Sequence, residues 1–291
     1  MTGGRSIRGE GTFWLLLLPM VAYLVSWRIL PLLYTAWLSL ADWNIGRGAP
    51  PRFIGIENYL RLLGDPRFHA AVKVSAIFML VATAAEVVLG VALALLVNRP
   101  FRGQTIVQGI LLVPMITSPV AVGTIWYILY NGKIGPLTYF VDRLGFGVQD
   151  WLGSTLTALP AIILADVWEW TPFVFLLALS GLQGIPETVV EAARIDGASA
   201  WKVWWYITLP LLRGVIVAAA ILRAMDALKI FDTIFIMTGG GPGRSTESAS
   251  LLVYRTAFTH FEFGYAAAMI MVVLALTTLL YWFYTRVPQE V

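Results

Sequence analysis

EAARIDGASAWKVWWYITLP, residues 191–210, is the most polar and most helix-forming passage of the chain, and it separates two long apolar runs at 159–182 and 215–237. Its local pattern is readable. Pro186 can open a helix at its first turn, after which Glu187, Glu191 and Arg194 fall at i, i+4 and i+7 along one face. Gly197 ends that helix, and Ser199 can cap a second one in which Trp201, Trp204, Trp205 and Thr208 share a face with Lys202 to one side. Leu209-Pro210 is expected to stop the run before the next apolar segment. The pattern predicts a short helix clear of the membrane, joined by a glycine turn to an aromatic helix suited to the interface. The residues by themselves leave a plain amphipathic connector and a docking element equally open.

The flanking runs set the class. Of 291 residues, 58% are hydrophobic and 13% charged, and the mean hydropathy is +0.77, a balance that excludes an ordinary soluble domain. A membrane-crossing helix needs about 20 apolar residues, and six runs are long enough: 13–40, 72–97, 106–130, 159–182, 215–237 and 265–284. The expected fold is therefore all-α, a polytopic bundle of six transmembrane helices. The loops left over are too short to hold a soluble catalytic domain.

Function classes are excluded by what is missing. There is no cysteine, and His69 and His260 lie in or near separate loops. Disulfide scaffolds, thiolate chemistry and a Cys/His metal site are out, so no catalytic, cofactor-binding or metal-ligating residues are expected. Arg5 and Arg8 precede the first apolar run in the manner of a signal peptide, but that run is longer than a typical signal core and lacks a small-x-small cleavage site, so it reads as a retained helix. Basic residues are slightly denser in the segments that are cytoplasmic when the N-terminus is inside, which favours cytoplasmic N- and C-termini. A net charge of +3 suits anchoring to membrane lipid, not nucleic acid.

The connections carry few signals of chemistry. Residues 41–68 hold a Pro/Gly cluster and then an amphipathic ENYLRLL segment, which predicts a turn and a short surface helix. NRPFRGQ, residues 98–104, is a tight basic connection, and 131–157 reads as irregular. No inverted internal repeat is evident. GGGPGRST, residues 239–246, superficially suggests a phosphate-binding loop, but Arg244 stands where the second glycine is needed and no lysine follows, so it reads as a glycine-rich turn. This chain is not expected to bind and hydrolyse ATP by itself.

Charges inside the apolar runs are more informative. The fourth run contains ADVWEWTPF with Asp166 and Glu169 three apart, and the fifth contains LRAMDALKIFD with Arg223, Asp226, Lys229 and Asp232 at successive spacings of three. That spacing lets Arg223 meet Asp226 and Lys229 meet Asp232. Charges at membrane depth cost at least a few kcal/mol each, so they face a bundle interior or a water-filled cavity. Structural pairing alone would account for any one of them. Together with Trp168, Trp170 and Phe173, and with Pro172 breaking the helix, they favour a polar, aromatic-lined pathway. Aromatic faces with carboxylates and guanidinium suit a polyhydroxylated ligand. Glu86 and Arg28 read as isolated structural charges with partners elsewhere.

Residues 191–210 resemble the EAA loop of bacterial ABC importer permeases, with the match carried by Glu191, Ala192, Ala193, Gly197, Ile207, Leu209 and Pro210. FDTIFIMTGGGPGRSTESASLLVYRTAFTHFEFGYAAAM, residues 231–269, is similar to the segment characteristic of the carbohydrate-importing, maltose-type permeases, and FIGIENYLRLLGDPRF and LVPMITSPVAVGTIWYILYNGKIG fit the same family. The resemblance implies one permease domain over 1–291, with a core at about 68–285, a first span at about 13–40 and a coupling loop at about 183–212. It implies that Glu191, Ala192, Ala193, Asp196 and Gly197 dock a separate cytoplasmic ATPase, Glu191 as the charged contact and Gly197 as the turn. It implies a substrate pathway through Asp166, Glu169, Trp170, Phe173, Arg223 and Asp226, where the family uses mostly neutral polar groups. The assembly implied is this chain, a second permease, two ATP-binding subunits that hold ATP and Mg, and an extracytoplasmic sugar-binding protein, in the bacterial inner membrane, importing a sugar or polyol. Two other classes compete: an ion-driven secondary transporter using the buried charges as a relay, and an intramembrane enzyme using Asp166 and Glu169 as acid and base, for which no histidine or acidic metal motif is in reach.

Overall fold

The computed structural model describes the backbone of residues 7–286 and the side chains of 14–282 and 286; Arg5 and the chain ends, on which the terminal orientation is read, lie outside the described residues. Among those described, the architecture is helical apart from one short antiparallel ribbon, as the hydropathy pattern requires. The chain folds as two compact units, one comprising the described residues to Asp65 with Val253–Val272, the other Pro66–Leu252 and the described residues from Val273 on.

The first unit begins with α1 (Ile7–Leu24), a π-helical turn at Val25–Ile29, and α2 (Leu30–Leu38), which together give an exposed apolar span. β1 (Ala41–Asp42) then pairs with β2 (Arg52–Phe53) in the register Ala41↔Phe53. The ENYLRLL segment forms α3 (Glu57–Leu63), as its amphipathic pattern predicts. Buried Asn58 ties α3 to the turn before it by donating to the carbonyls of Ser39 and Ala41, both at 3.0 Å.

The second unit is organised by α4 (Pro66–Val97), α8 (Ala158–Gln183) and α11 (Leu209–Ala227), which pack along one another. Between α4 and α8 run α5 (Gln104–Leu112), α6 (Pro119–Leu129) and α7 (Pro136–Val141). Between α8 and α11 come α9 (Glu187–Ile195) and α10 (Ala200–Val203), and beyond α11 lies α12 (Asp232–Met237); α13 (Ala249–Phe258) and α14 (Phe263–Arg286) each divide between the two units, after Leu252 and after Val272. Lipid is as apolar as leucine, so helices in a membrane associate through close packing and polar contacts. The contacts here follow that rule. A Cβ on Gly90 of α4 would stand 2.7 Å from Val174 Cβ of α8, and one on Gly181 of α8 would stand 2.8 Å from Leu212 Cδ2 of α11. Around these points Val91, Ala94, Val97, Phe175, Ala178, Leu182 and Leu212 form one buried cluster. A second, toward the other ends of the helices, joins Phe78, Ala82, Ala161, Ile162, Ala165, Ala227, Ile234 and Met237.

The predicted pattern holds with five local differences. Among the described residues, five helical stretches are long and apolar enough to cross a membrane: Trp14–Leu38, Pro66–Val97, Ala158–Gln183, Ala200–Ala227 and Phe263–Trp282. The predicted third span is not one helix. Pro114 starts a 3₁₀ turn, and Thr117 and Ser118 are extended ahead of Pro119, whose ring disfavours the helical conformation at Ser118. The predicted fifth span breaks between α11 and α12; the carbonyls of Lys229 and Ile230 freed there accept from the hydroxyls of Ser250 at 3.0 Å and Ser248 at 2.8 Å. Pro210 does not stop the preceding helix. A π turn at Trp204–Thr208 widens the backbone just ahead of the proline, where a regular α-turn would press its ring against a carbonyl, and the chain runs on into α11. Pro172 likewise does not break α8, and the neighbouring Thr171 hydroxyl donates to the Val167 carbonyl at 2.5 Å. Residues 131–157, expected to be irregular, contain α7 and a π turn at Asp142–Phe146.

Candidate functional site

Every charged side chain on the buried faces of α4, α8 and α11 faces the need for a partner, because the surrounding helices offer only hydrocarbon. Arg223 meets it for three carboxylates at once. Its Nε donates to Glu86 Oε2 at 2.6 Å, Nη2 donates to Glu86 Oε1 and Asp166 Oδ2 at 2.8 Å each, and Nη1 donates to Asp226 Oδ2 at 3.0 Å. These bonds engage four of the five guanidinium N–H groups. The flat face lies 4.9 Å from the centre of the Trp170 ring. Arg223, Glu86 and Asp166 are fully buried, whereas the Asp226 side chain is 57% exposed. The guanidinium therefore pins α4, α8 and α11 together and leaves one carboxylate open.

Glu169 behaves differently from Asp166, one turn earlier on the same helix. It is buried, yet neither carboxylate oxygen has a hydrogen-bond partner among the described residues. Phe173 is half-buried against Trp170, ring centres 6.4 Å apart at 78°, and Trp126 meets Trp168 edge-on at 6.0 Å. The structure thus brings together Asp166, Trp170, Phe173, Arg223 and Asp226 and places Glu169 beside them without a bond. Lys229 and Asp232 do not pair among the described residues: the helix ends between them, so their spacing of three no longer puts them on neighbouring faces.

Glu86 is the member that sequence reasoning set apart as an isolated structural charge. The only signal available was that a carboxylate in an apolar run demands a counter-charge; no spacing rule could connect it to a residue 137 positions away. Arg28, read as having a structural partner, is exposed and makes no ion pair among the described residues.

The other constellation is built from local rules. Gly197, at φ 80°, closes α9 as the sequence predicts: its N–H bonds the Arg194 carbonyl at 3.0 Å and the Ala198 N–H bonds the Ala193 carbonyl at 2.9 Å, which satisfies the last turn of the helix. Ser199 caps α10, accepting from the Lys202 N–H at 3.4 Å. Glu191, Ala192, Asp196 and Gly197 are exposed and Ala193 half-buried. The four aromatic-face residues divide: Trp204 and Thr208 turn toward the core while Trp201 and Trp205 stay exposed, edge to face at 5.5 Å. About 25 Å of helix separate Asp166 from the end of α8 at Gln183, so charge cluster and hairpin are distinct sites. A cavity of ≈ 570 Å³ in the first unit, lined by Asp42, Asn44, Arg47, Ala49, Pro50, Pro51 and Arg52, includes none of the residues read as a pathway.

Residues 86–291 match the model of the family described as binding-protein-dependent transport system inner membrane component. The chain is similar to the trehalose/maltose transport system permease protein MalF of Thermococcus litoralis, 39% identical over 252 residues that cover 86% of this chain and 83% of that protein. It is also similar to the sulfoquinovosyl glycerol transport system permease protein SmoG of Agrobacterium fabrum, 34% identical over 268 residues, 92% of this chain and 86% of that one. Among solved structures, a chain of a bacterial ABC transporter involved in the import of the acidic polysaccharide alginate shares the fold, with a TM-score of 0.83 and 20% identity over 97% of this chain and 98% of that one.

Proposed function

The chain belongs to the family of binding-protein-dependent transport system inner membrane components, and from that premise we propose that it is one of two permease subunits of an ATP-driven importer of a sugar or polyol. The observation that carries the sugar reading is the 39% identity with a trehalose/maltose permease over most of both chains. Its setting is the bacterial cytoplasmic membrane, with both chain ends cytoplasmic. Two separate subunits bind ATP and Mg, and an extracytoplasmic sugar-binding protein delivers the substrate.

The exposed hairpin around Glu191 is the mechanical joint of this proposal. A helix whose Glu191, Ala192, Asp196 and Gly197 all face solvent, closed by a glycine turn and rooted at both ends in membrane helices, suits insertion into a cleft of an ATPase. Closure of the ATPases on ATP would displace it, and the rigid α8 and α11 would carry that displacement to the charge cluster. There Arg223, four of its five N–H groups committed, serves as scaffold. Trp170, Phe173 and the open carboxylate of Asp226 offer stacking faces and an acceptor for hydroxyl groups.

Reconstitution tests this. The chain, purified with whatever permease and ATPase accompany it, is placed in liposomes loaded with ATP, and uptake of labelled trehalose and maltose is followed with the binding protein outside. ATP-dependent uptake that stops without the binding protein is the expected result. Uptake by the chain alone, driven by an ion gradient, overturns the proposal.

A further inference from the structure

The glycine-rich turn that fails as a phosphate loop has a different peculiarity. Its base is clamped: the Thr238 and Thr246 hydroxyls lie 2.7 Å apart, Thr246 Oγ1 donates to the Gly241 carbonyl at 2.7 Å, and the Ala249 N–H donates to Ser75 Oγ at 2.9 Å. Buried Glu247 takes a two-pronged bond from Arg67 at 3.0 and 3.2 Å. Within the turn, Gly239, Gly240 and Gly243 have φ of 55°, 90° and 55°, where only glycine is unpenalised. Arg244 sits in the same region, at φ 76°, where an L side chain crowds its own carbonyl. A fifth glycine, at position 244, would make the same turn without that penalty, so what Arg244 contributes is its side chain. That side chain is exposed and makes no ion pair among the described residues.

Its place in the second unit says which side it faces. Arg67, in the first turn of α4, holds Glu247, while Val97 at the other end of α4 packs with Leu182 and Leu212, which flank the hairpin. About 45 Å of helix separate the two ends. The root of the turn, Ile234 and Met237 of α12, lies in the same buried cluster as Ala161 and Ala165, so the turn rises from the packed interior of this unit. On the functional reading above, the hairpin is cytoplasmic and Arg244 stands on the opposite side, where the sugar-binding protein arrives.

We propose that Arg244 is a docking contact for an acidic side chain of the extracytoplasmic sugar-binding protein, held rigidly and at a conformational penalty because the turn must present a cation at that point. This rests on the importer reading. The test uses the assembled importer in lipid nanodiscs and, as probe, the purified sugar-binding protein that stimulates its ATP hydrolysis, comparing wild type with Arg244→Gly, Arg244→Lys and Arg244→Glu. Arg244→Gly relieves the backbone and should melt at or above the wild-type temperature. It should nonetheless bind the probe about tenfold more weakly and with a shallower salt dependence, as losing a steering charge does. Arg244→Lys should retain most of the affinity and Arg244→Glu should lose more than the glycine variant. Unchanged affinity and salt dependence in Arg244→Gly overturns the assignment while leaving the importer reading in place. A loss confined to binding of phosphatidylglycerol vesicles overturns it in favour of a lipid contact. A wild-type complex stimulated by no soluble protein overturns both readings.

Discussion

Arg223 grips both carboxylate oxygens of Glu86, at 2.6 and 2.8 Å, across 137 residues of sequence. The bond joins α11 to α4, and the same guanidinium reaches Asp166 on α8. Removing one partner from a buried ion pair is far more damaging than replacing the whole set, because an uncompensated charge stays behind.

Arg223→Met should therefore destabilise the detergent-solubilised permease by about 3–5 kcal/mol, since it strands Glu86 and Asp166 inside the bundle. Thermal unfolding followed by tryptophan fluorescence reads this directly. A variant that melts with the wild type would mean that the guanidinium does not hold the three helices.

Glu169 and Asp166 should answer oppositely to the same chemical change. Asp166→Asn removes a charged acceptor from Arg223, whereas Glu169→Gln takes a charge from a site where no hydrogen bond from the described residues compensates its burial. Melting should fall in the first and hold or rise in the second. Equal losses in both would show that Glu169 has a partner in the folded protein.

Glu191→Lys changes only an exposed position, so stability should stay within about 0.5 kcal/mol of wild type. On the proposed coupling role it should abolish ATP-driven uptake while the permease still reaches the membrane folded. Wild-type transport together with wild-type assembly would remove Glu191 from that role.

Two glycines on neighbouring helices make a matched pair. Gly90→Ala drives a methyl to within 2.7 Å of Val174 Cβ and 2.8 Å of the Phe175 backbone nitrogen, and overpacking of this kind costs about 1–3 kcal/mol. Gly214→Ala, with nothing within 4 Å of its new methyl, should be neutral or stabilising through helix propensity. The difference in melting temperature between the two variants measures the closeness of α4 to α8.

Legibility followed the range of each interaction. The hairpin was readable almost to the residue: Pro186, Gly197 and Ser199 stand where the structure opens α9, closes it and caps α10, because caps and turns act over a few residues of backbone. Proline was misread in both directions. Pro114 and Pro119 divide the predicted third span, while Pro172 and Pro210 sit inside helices that continue. Whether a proline ends a helix depends on the turn ahead of it, which widens before Pro210, and on what packs around it, and the proline itself does not carry that information.

Hydropathy and the unmet needs of backbone groups in hydrocarbon act on every segment separately, so the order of residues is enough to specify a helical membrane protein with a polar hairpin between apolar spans. It also placed Arg223 and Asp226 together, one helical turn apart. It took the packed bundle to make Glu86 share that guanidinium, to leave Glu169 without a bond among the described residues three residues from a carboxylate that has one, and to part Lys229 from Asp232. Those outcomes depend on the rotation and approach of α4, α8 and α11, which contacts such as Gly90 against Val174 set at sub-ångström tolerance and which no periodicity along a single helix encodes.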